Sequence, residues 1–112
     1  MAFVATRTGS DGRAETLGVA RTVTDPDNRR AELAILVRTD LKGAGLGMML
    51  MDKIIRYQCE RQTGEIAAQV LSDNASMLKL AQKCGFLIYP STDPEIVECS
   101  LRLDSPQDRS AA

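Results

Sequence analysis

The sequence predicts an α/β domain whose six short strands and two helices run strand, strand, strand, helix, strand, helix, strand, strand. Three observations predict it. Strand-like segments lie toward both ends of the chain, two stretches between them repeat apolar residues at helical spacing, and glycine, proline, asparagine or aspartate separates the segments. With 112 residues, 44% apolar and 26% charged, the chain suits one small globular domain and neither two domains nor a disordered segment.

Phe3 to Arg7 and Thr16 to Thr24 read as a hairpin around Thr8-Gly9-Ser10-Asp11-Gly12-Arg13, where two glycines and an Asp favour a tight reversal. After the turn signal Asp25-Pro26-Asp27-Asn28, the stretch Ala31 to Arg38 is nearly continuously apolar, which predicts a central strand covered on both sides. From Gly45 to about Arg61, Leu46, Met49, Leu50, Ile54 and Tyr57 mark the apolar face of a helix, opposite Asp52, Lys53, Arg56 and Glu60, with Gly64 as its stop. Glu65 to Leu71 is a short strand with Ile66, Ala68 and Val70 on one face. Ser72, Asp73 and Asn74 are all good caps for a second helix that runs to Cys84 on a stripe of Met77, Leu78 and Ala81 and stops at Gly85. Phe86 to Tyr89 is extended up to Pro90. Ile96 to Leu103 alternates, with Val97, Cys99, Leu101 and Leu103 inward and Glu98, Ser100 and Arg102 outward. Residues 105–112 read as a disordered tail, which leaves 1–104 as the domain.

Composition excludes several function classes. The 14 basic and 15 acidic residues leave a net charge of −1, with no field to gather nucleic acid or a membrane surface. Phe3, Tyr57, Phe86 and Tyr89 are too scattered to stack bases. Histidine is absent, which removes serine and cysteine triads, His-ligated zinc and imidazole general bases. Cys59, Cys84 and Cys99 are odd in number and lack the C-x-x-C spacing, so reduced, mostly buried thiols are expected, with no metal. Neither a signal peptide nor an apolar stretch near ~18 residues is present, and the expected compartment is the cytoplasm.

The informative segment is Arg38-Thr39-Asp40-Leu41-Lys42-Gly43-Ala44-Gly45-Leu46-Gly47, where three glycines open a helix. Each costs up to about 1 kcal/mol against Ala inside a helix, so a bare connection would not favour all three. Glycine lets the N–H groups of a helix N-terminus close on an anion such as a phosphate. The spacing matches neither G-x-G-x-x-G nor the P-loop, and a flexible turn is the other reading of the glycines alone.

Ala31-Glu32-Leu33-Ala34-Ile35-Leu36-Val37-Arg38 before this turn, and Asn74-Ala75-Ser76-Met77-Leu78-Lys79-Leu80-Ala81-Gln82-Lys83-Cys84-Gly85-Phe86 after it, resemble the GNAT acyltransferase family over roughly Phe3 to Leu103. The nearest likeness is to GNAT domains of bacterial protein lysine acetyltransferases. The resemblance implies a mixed, mostly antiparallel central sheet with two helices, a truncated acyl-CoA N-acyltransferase fold that lacks the family's amino-terminal strand and helices. It implies acetyl-CoA as cosubstrate and a primary amine, such as a protein lysine, as acceptor. Lys42-Gly43-Ala44-Gly45-Leu46-Gly47 resembles the family's pyrophosphate loop, with Met48 beside it; Lys42 stands where the family has Gln or Arg and keeps a cation without the bidentate geometry of Arg. Ile35, Leu36 and Val37 would offer backbone partners to the pantetheine arm, inserted like a strand where the third strand splays from the next. Asn74 matches the family's cap beside that arm, and capping alone is its other reading.

Glu32 resembles the strand glutamate that serves as base in protein-acetylating members; a solvated strand face is its other reading. Ala81 stands where the family often has a Tyr general acid, and Lys79, Gln82 and Lys83 read as a solvated helix face. Two further functions stay open on the residues: a non-catalytic acyl-CoA-binding or interaction module, and a purely structural domain. With the amino-terminal wall absent, a homodimer or membership of a larger chain is expected.

Overall fold

The computed structural model describes residues 1–38 and 45–103; the expectations for Lys42, Gly43 and Ala44 and for the 105–112 tail lie outside them. The elements come in the expected order: β1 (Ala2–Thr8), β2 (Ala14–Thr24), β3 (Arg30–Val37), α1 (Leu46–Glu60), β4 (Glu65–Leu71), α2 (Ala75–Lys83), β5 (Leu87–Pro90) and β6 (Ile96–Arg102). They form one sheet in the order β1-β2-β3-β4-β6-β5. Every neighbouring pair is antiparallel except β3 and β4. That exception follows from α1, which carries the chain back along the sheet so that β4 runs the same way as β3.

Both helices lie on one face. Met51 and Ile54 of α1 and Ala81 of α2 share a core with Leu33, Ile66, Val70, Phe86, Cys99 and Leu103. The opposite face has no helix among the described residues, and this corrects the expectation for the third strand. Along β3, Ala31 and Leu33 are buried and Ile35 and Val37 half-buried, while Glu32, Ala34 and Leu36 between them are exposed, Leu36 to 73%. Among the described residues, this apolar run therefore has one face covered by the helices and the other exposed.

Three local expectations also change. The helix α1 buries Leu50, Met51, Ile54 and Gln58, while Met49 is exposed. The four consecutive apolar residues Met48 to Met51 fit more than one helical face, and the sheet selects among them. Gln58 is fully buried because a polar chain surrounds it: Thr22 Oγ1 donates to its Oε1 at 2.7 Å, its Nε2 donates to Thr63 Oγ1 at 2.7 Å, and Thr63 Oγ1 donates to Asn28 Oδ1 at 2.8 Å. Each partner is satisfied, so the burial is tolerated. The helix ends at Glu60 with Arg61 as its C-cap, followed by Gln62 at φ 61°, and not at Gly64. Gly64 is glycine for another reason, since a Cβ there would stand 2.7 Å from the Arg29 carbonyl oxygen. The cysteines are free, but only Cys99 is buried; Cys84 is half-buried and Cys59 exposed.

Candidate functional site

The site begins where β3 and β4 part. Their pairing covers only Arg30–Glu65, Ala31–Ile66 and Glu32–Ala67. Beyond it, β3 stays paired to β2 as far as Val37, and β4 to β6 as far as Leu71. The two strands thus diverge, leaving facing edges whose backbone groups have no strand partner among the described residues. Between them lies a cleft of about 250 Å³, walled by Leu33, Ala34 and Ile35 on one side and Ala68 to Leu71 on the other. Met51, Met77, Ala81, Phe86 and Cys99 close it on the helix side, and Asn74 stands at its edge.

The N-terminus of α1 lies against the end of β3, beside Val37. Gly45 caps the helix at φ 85°, a left-handed conformation that a side chain rarely adopts, and no acidic residue occupies the first turn. The first intrahelical bond runs from Met49 N–H to the Gly45 carbonyl. The N–H groups of Leu46, Gly47 and Met48 precede it, and they are the donors a helix start leaves open. A Cβ on Gly47 would stand 3.1 Å from Leu80 Cδ2 and 3.8 Å from Val37 Cγ2. This glycine is therefore needed to seat the helix start against α2 and the end of β3.

Asn74 caps α2 by accepting from Met77 N–H at 3.2 Å. Its amide nitrogen has no partner among the described residues, so the side chain can cap and still donate at the cleft edge. Ile35, Leu36 and Val37 form the diverging part of β3; the side chains of Ile35 and Val37 turn toward the helices and that of Leu36 turns away.

Glu32 lies at the point of divergence, on the face away from the helices. It lines a second depression of about 210 Å³ with Arg30, Leu33, Ala67, Ala68 and Gln69. Leu33, Ala68 and Gln69 border both cavities, so the two meet at the vertex of the splay. Sequence reasoning missed Gln69 and Met51. The polar position of Gln69 in the alternation of β4 was a usable signal for the first, whereas nothing local marks the second. Lys79, Gln82 and Lys83 are exposed, as expected of a solvated face.

Burial raises the Cys84 and Cys99 thiols above the ordinary thiol value, and the Asp52 carboxylate adds to the shift at Cys84. Cys84 Sγ lies 3.7 Å from Met48 Sδ. No group of three His, Cys, Asp or Glu that could hold a metal ion occurs among the described residues, nor does a helix long and apolar enough to cross a membrane.

This arrangement has counterparts in known proteins. The model of the acetyltransferase (GNAT) family matches residues 2–86. Among solved structures, the ribosomal-protein-S18-alanine N-acetyltransferase from Escherichia coli superposes with a TM-score of 0.71 at 24% identity, over 94% of this chain and 70% of that one. The Campylobacter jejuni N-acetyltransferase PseH, in complex with acetyl coenzyme A, gives 0.65 at 29% identity over 79% of this chain and 60% of that one. The GNAT domain of S. lividans PAT gives 0.70 at 26% identity over 80% and 55%. The chain thus spans between about half and 70% of the length of these structures.

Proposed function

The chain belongs to the acetyltransferase (GNAT) family, and from that premise we propose that it is an N-acetyltransferase that moves acetyl from acetyl-CoA to a primary amine, a protein lysine being the acceptor class. The observation that carries the reading is the splay of β3 from β4, with the start of α1 beside the end of β3. An extended arm fits the unpaired edges of the cleft, and a phosphate fits the N–H groups of α1. Acetyl-CoA supplies the acetyl thioester and leaves as the free thiol.

The protein's own residues do the rest. The backbone of Ile35, Leu36 and Val37 pairs with the pantetheine arm, and the amide of Asn74 donates to it from the other side. Lys42, Gly43, Ala44, Gly45, Leu46, Gly47 and Met48 hold the pyrophosphate. An amine acceptor with a pKa of ~10.4 arrives protonated at neutral pH, and Glu32 takes that proton at the vertex, freeing the nitrogen to attack. The carbon–nitrogen bond forms as the carbon–sulfur bond breaks, and the nitrogen releases its second proton to solvent. Ala81 is buried in the cleft wall and carries no proton, so solvent protonates the departing thiolate. The reaction belongs in the cytoplasm, where thiols stay reduced, with the chain acting as a homodimer or within a larger chain. A non-catalytic acyl-CoA-binding module is the second reading, favoured by Ala81, which carries no proton to give.

One experiment with two variants tests this, following CoA binding by calorimetry and acetyl-CoA consumption with a lysine peptide. Gly45→Glu puts a side chain and a negative charge at the helix start and should abolish binding while the fold survives. Glu32→Gln should lower turnover ~10²-fold or more with CoA affinity nearly unchanged. Binding without turnover in the unmodified protein selects the second reading, and unchanged affinity in folded Gly45→Glu overturns both.

A further inference from the structure

The cleft between β3 and β4 has an apolar inner end on the helix side, and we propose that this end takes the tail of an acyl group. The protein then accepts propionyl and butyryl groups from CoA as well as acetyl, and holds the longer ones more tightly. The proposal rests on the acyl-CoA reading above and names the acyl donors for that same site.

Register places this inner end. Glu32 and Ala67 are the last residues at which β3 and β4 pair. The next along each strand are Leu33 and Ala68, which pack on the helix side of the sheet, and Cys99 of β6 stands level with Ala68. Met51 of α1, Ala81 of α2 and Phe86 belong to the same core, and all six residues line the cleft. An arm that starts at the N–H groups of α1, beside Val37, and runs inward between the strand edges reaches Leu33 four residues later, about 13 Å away. Its far end is the thioester.

The chemistry of this end suits a hydrocarbon. None of the six side chains is charged, and burial holds Cys99 as the neutral thiol. Two of the six are alanines, which offer the cleft no more than a methyl group each. Met51 is unbranched and adjusts to a guest more readily than a branched side chain does. Ala81 is 3% exposed and Met51 1%, so a methylene laid against them leaves water behind. Glu32 turns to the other face of the sheet, which keeps the amine and its proton acceptor on one side and leaves the helix side to the tail. Propionyl adds one methylene to acetyl and butyryl adds two. Each methylene moved from water to an apolar wall tightens binding about fourfold.

Calorimetry with CoA, acetyl-CoA, propionyl-CoA and butyryl-CoA tests this, each affinity being taken relative to that of CoA for the same protein. Propionyl-CoA should bind about fourfold tighter than acetyl-CoA, and butyryl-CoA about tenfold tighter or more. Ala81→Leu and Ala68→Val each fill the inner end and should remove that gain. Circular dichroism checks that both are folded. Ala68→Val carries the comparison if Ala81→Leu does not fold, because a β-branched residue suits a half-buried strand position. Butyryl-CoA bound no more tightly than acetyl-CoA overturns the proposal, and so does a butyryl preference that survives in the folded variants. Turnover with a lysine peptide separates this proposal from the reading beneath it. Acetyl transfer without the graded affinities leaves acyl transfer standing and removes the tail pocket. Graded affinities without transfer support the pocket in a binding module, and no affinity for any of the four overturns both.

Discussion

At the scale of single residues, burial sorts side chains of one chemical type into different roles. The three cysteines illustrate this. Cys59 is exposed at the end of α1, Cys84 is half-buried at the end of α2, and Cys99 is buried in the cleft wall. Desolvation disfavours the thiolate, so folding raises the Cys99 thiol, and raises Cys84 with help from Asp52. A thiol reagent near neutral pH should therefore modify one cysteine promptly, Cys59, and the other two slowly until the protein unfolds. Mass spectrometry of timed samples checks the order; fast loss of Cys99 from the folded protein would contradict the burial. Linkage gives the pH direction. A folded-state value above the unfolded one means that stability is fully present below the ordinary thiol range and is lost as pH rises through and beyond it. Glu32 differs from these residues in that position alone marks it, at the vertex where two cavities meet.

At the scale of elements, the informative feature is how α1 and α2 start. The first is opened by a left-handed glycine with no side chain to cap it, and the second by an asparagine that caps with its oxygen and leaves its nitrogen for the cleft. Two substitutions divide these roles. Asn74→Asp keeps the accepting oxygen and should leave thermal stability close to that of the parent while weakening CoA binding, through the lost donor and the added negative charge. Asn74→Ala removes both and should cost about 1 kcal/mol of stability as well. Calorimetry alongside a denaturation series reads the two effects. Equal CoA affinity in all three proteins would leave Asn74 as a cap alone. The pattern of Ser72-Asp73-Asn74 before an apolar stripe made the α2 start legible, and Gly85 at φ 94° made its end legible. The end of α1 was not, because the left-handed position fell on Gln62 and the glycine nearby answered a steric demand from Arg29.

At the scale of the whole molecule, the described residues place both helices on one face of a six-stranded sheet and leave apolar side chains exposed on the other. The homodimer of the proposed function would add to the stability of the folded state by mass action. The melting temperature should accordingly rise by several degrees across about a hundredfold increase in protein concentration. A melting temperature independent of concentration in the parent protein would remove the second copy from the stability of the fold.

Local patterning was enough to specify the order of elements, the faces of β4 and β6, the cap of α2 and the glycine-rich opening of α1, because periodicity, capping and turn chemistry act over a few neighbouring residues. Residues distant in the chain decided the rest. Which side of the apolar run of β3 the helices cover depends on where they pack, and among the described residues both pack on one face. Met51 and Gln58 became core because the sheet chose which stripe of α1 to bury and Thr22, Thr63 and Asn28 met around the glutamine. The cleft belongs to this second class. It exists because β3 and β4, held by different neighbours, stop pairing after three residues, and no short stretch of sequence contains both strands.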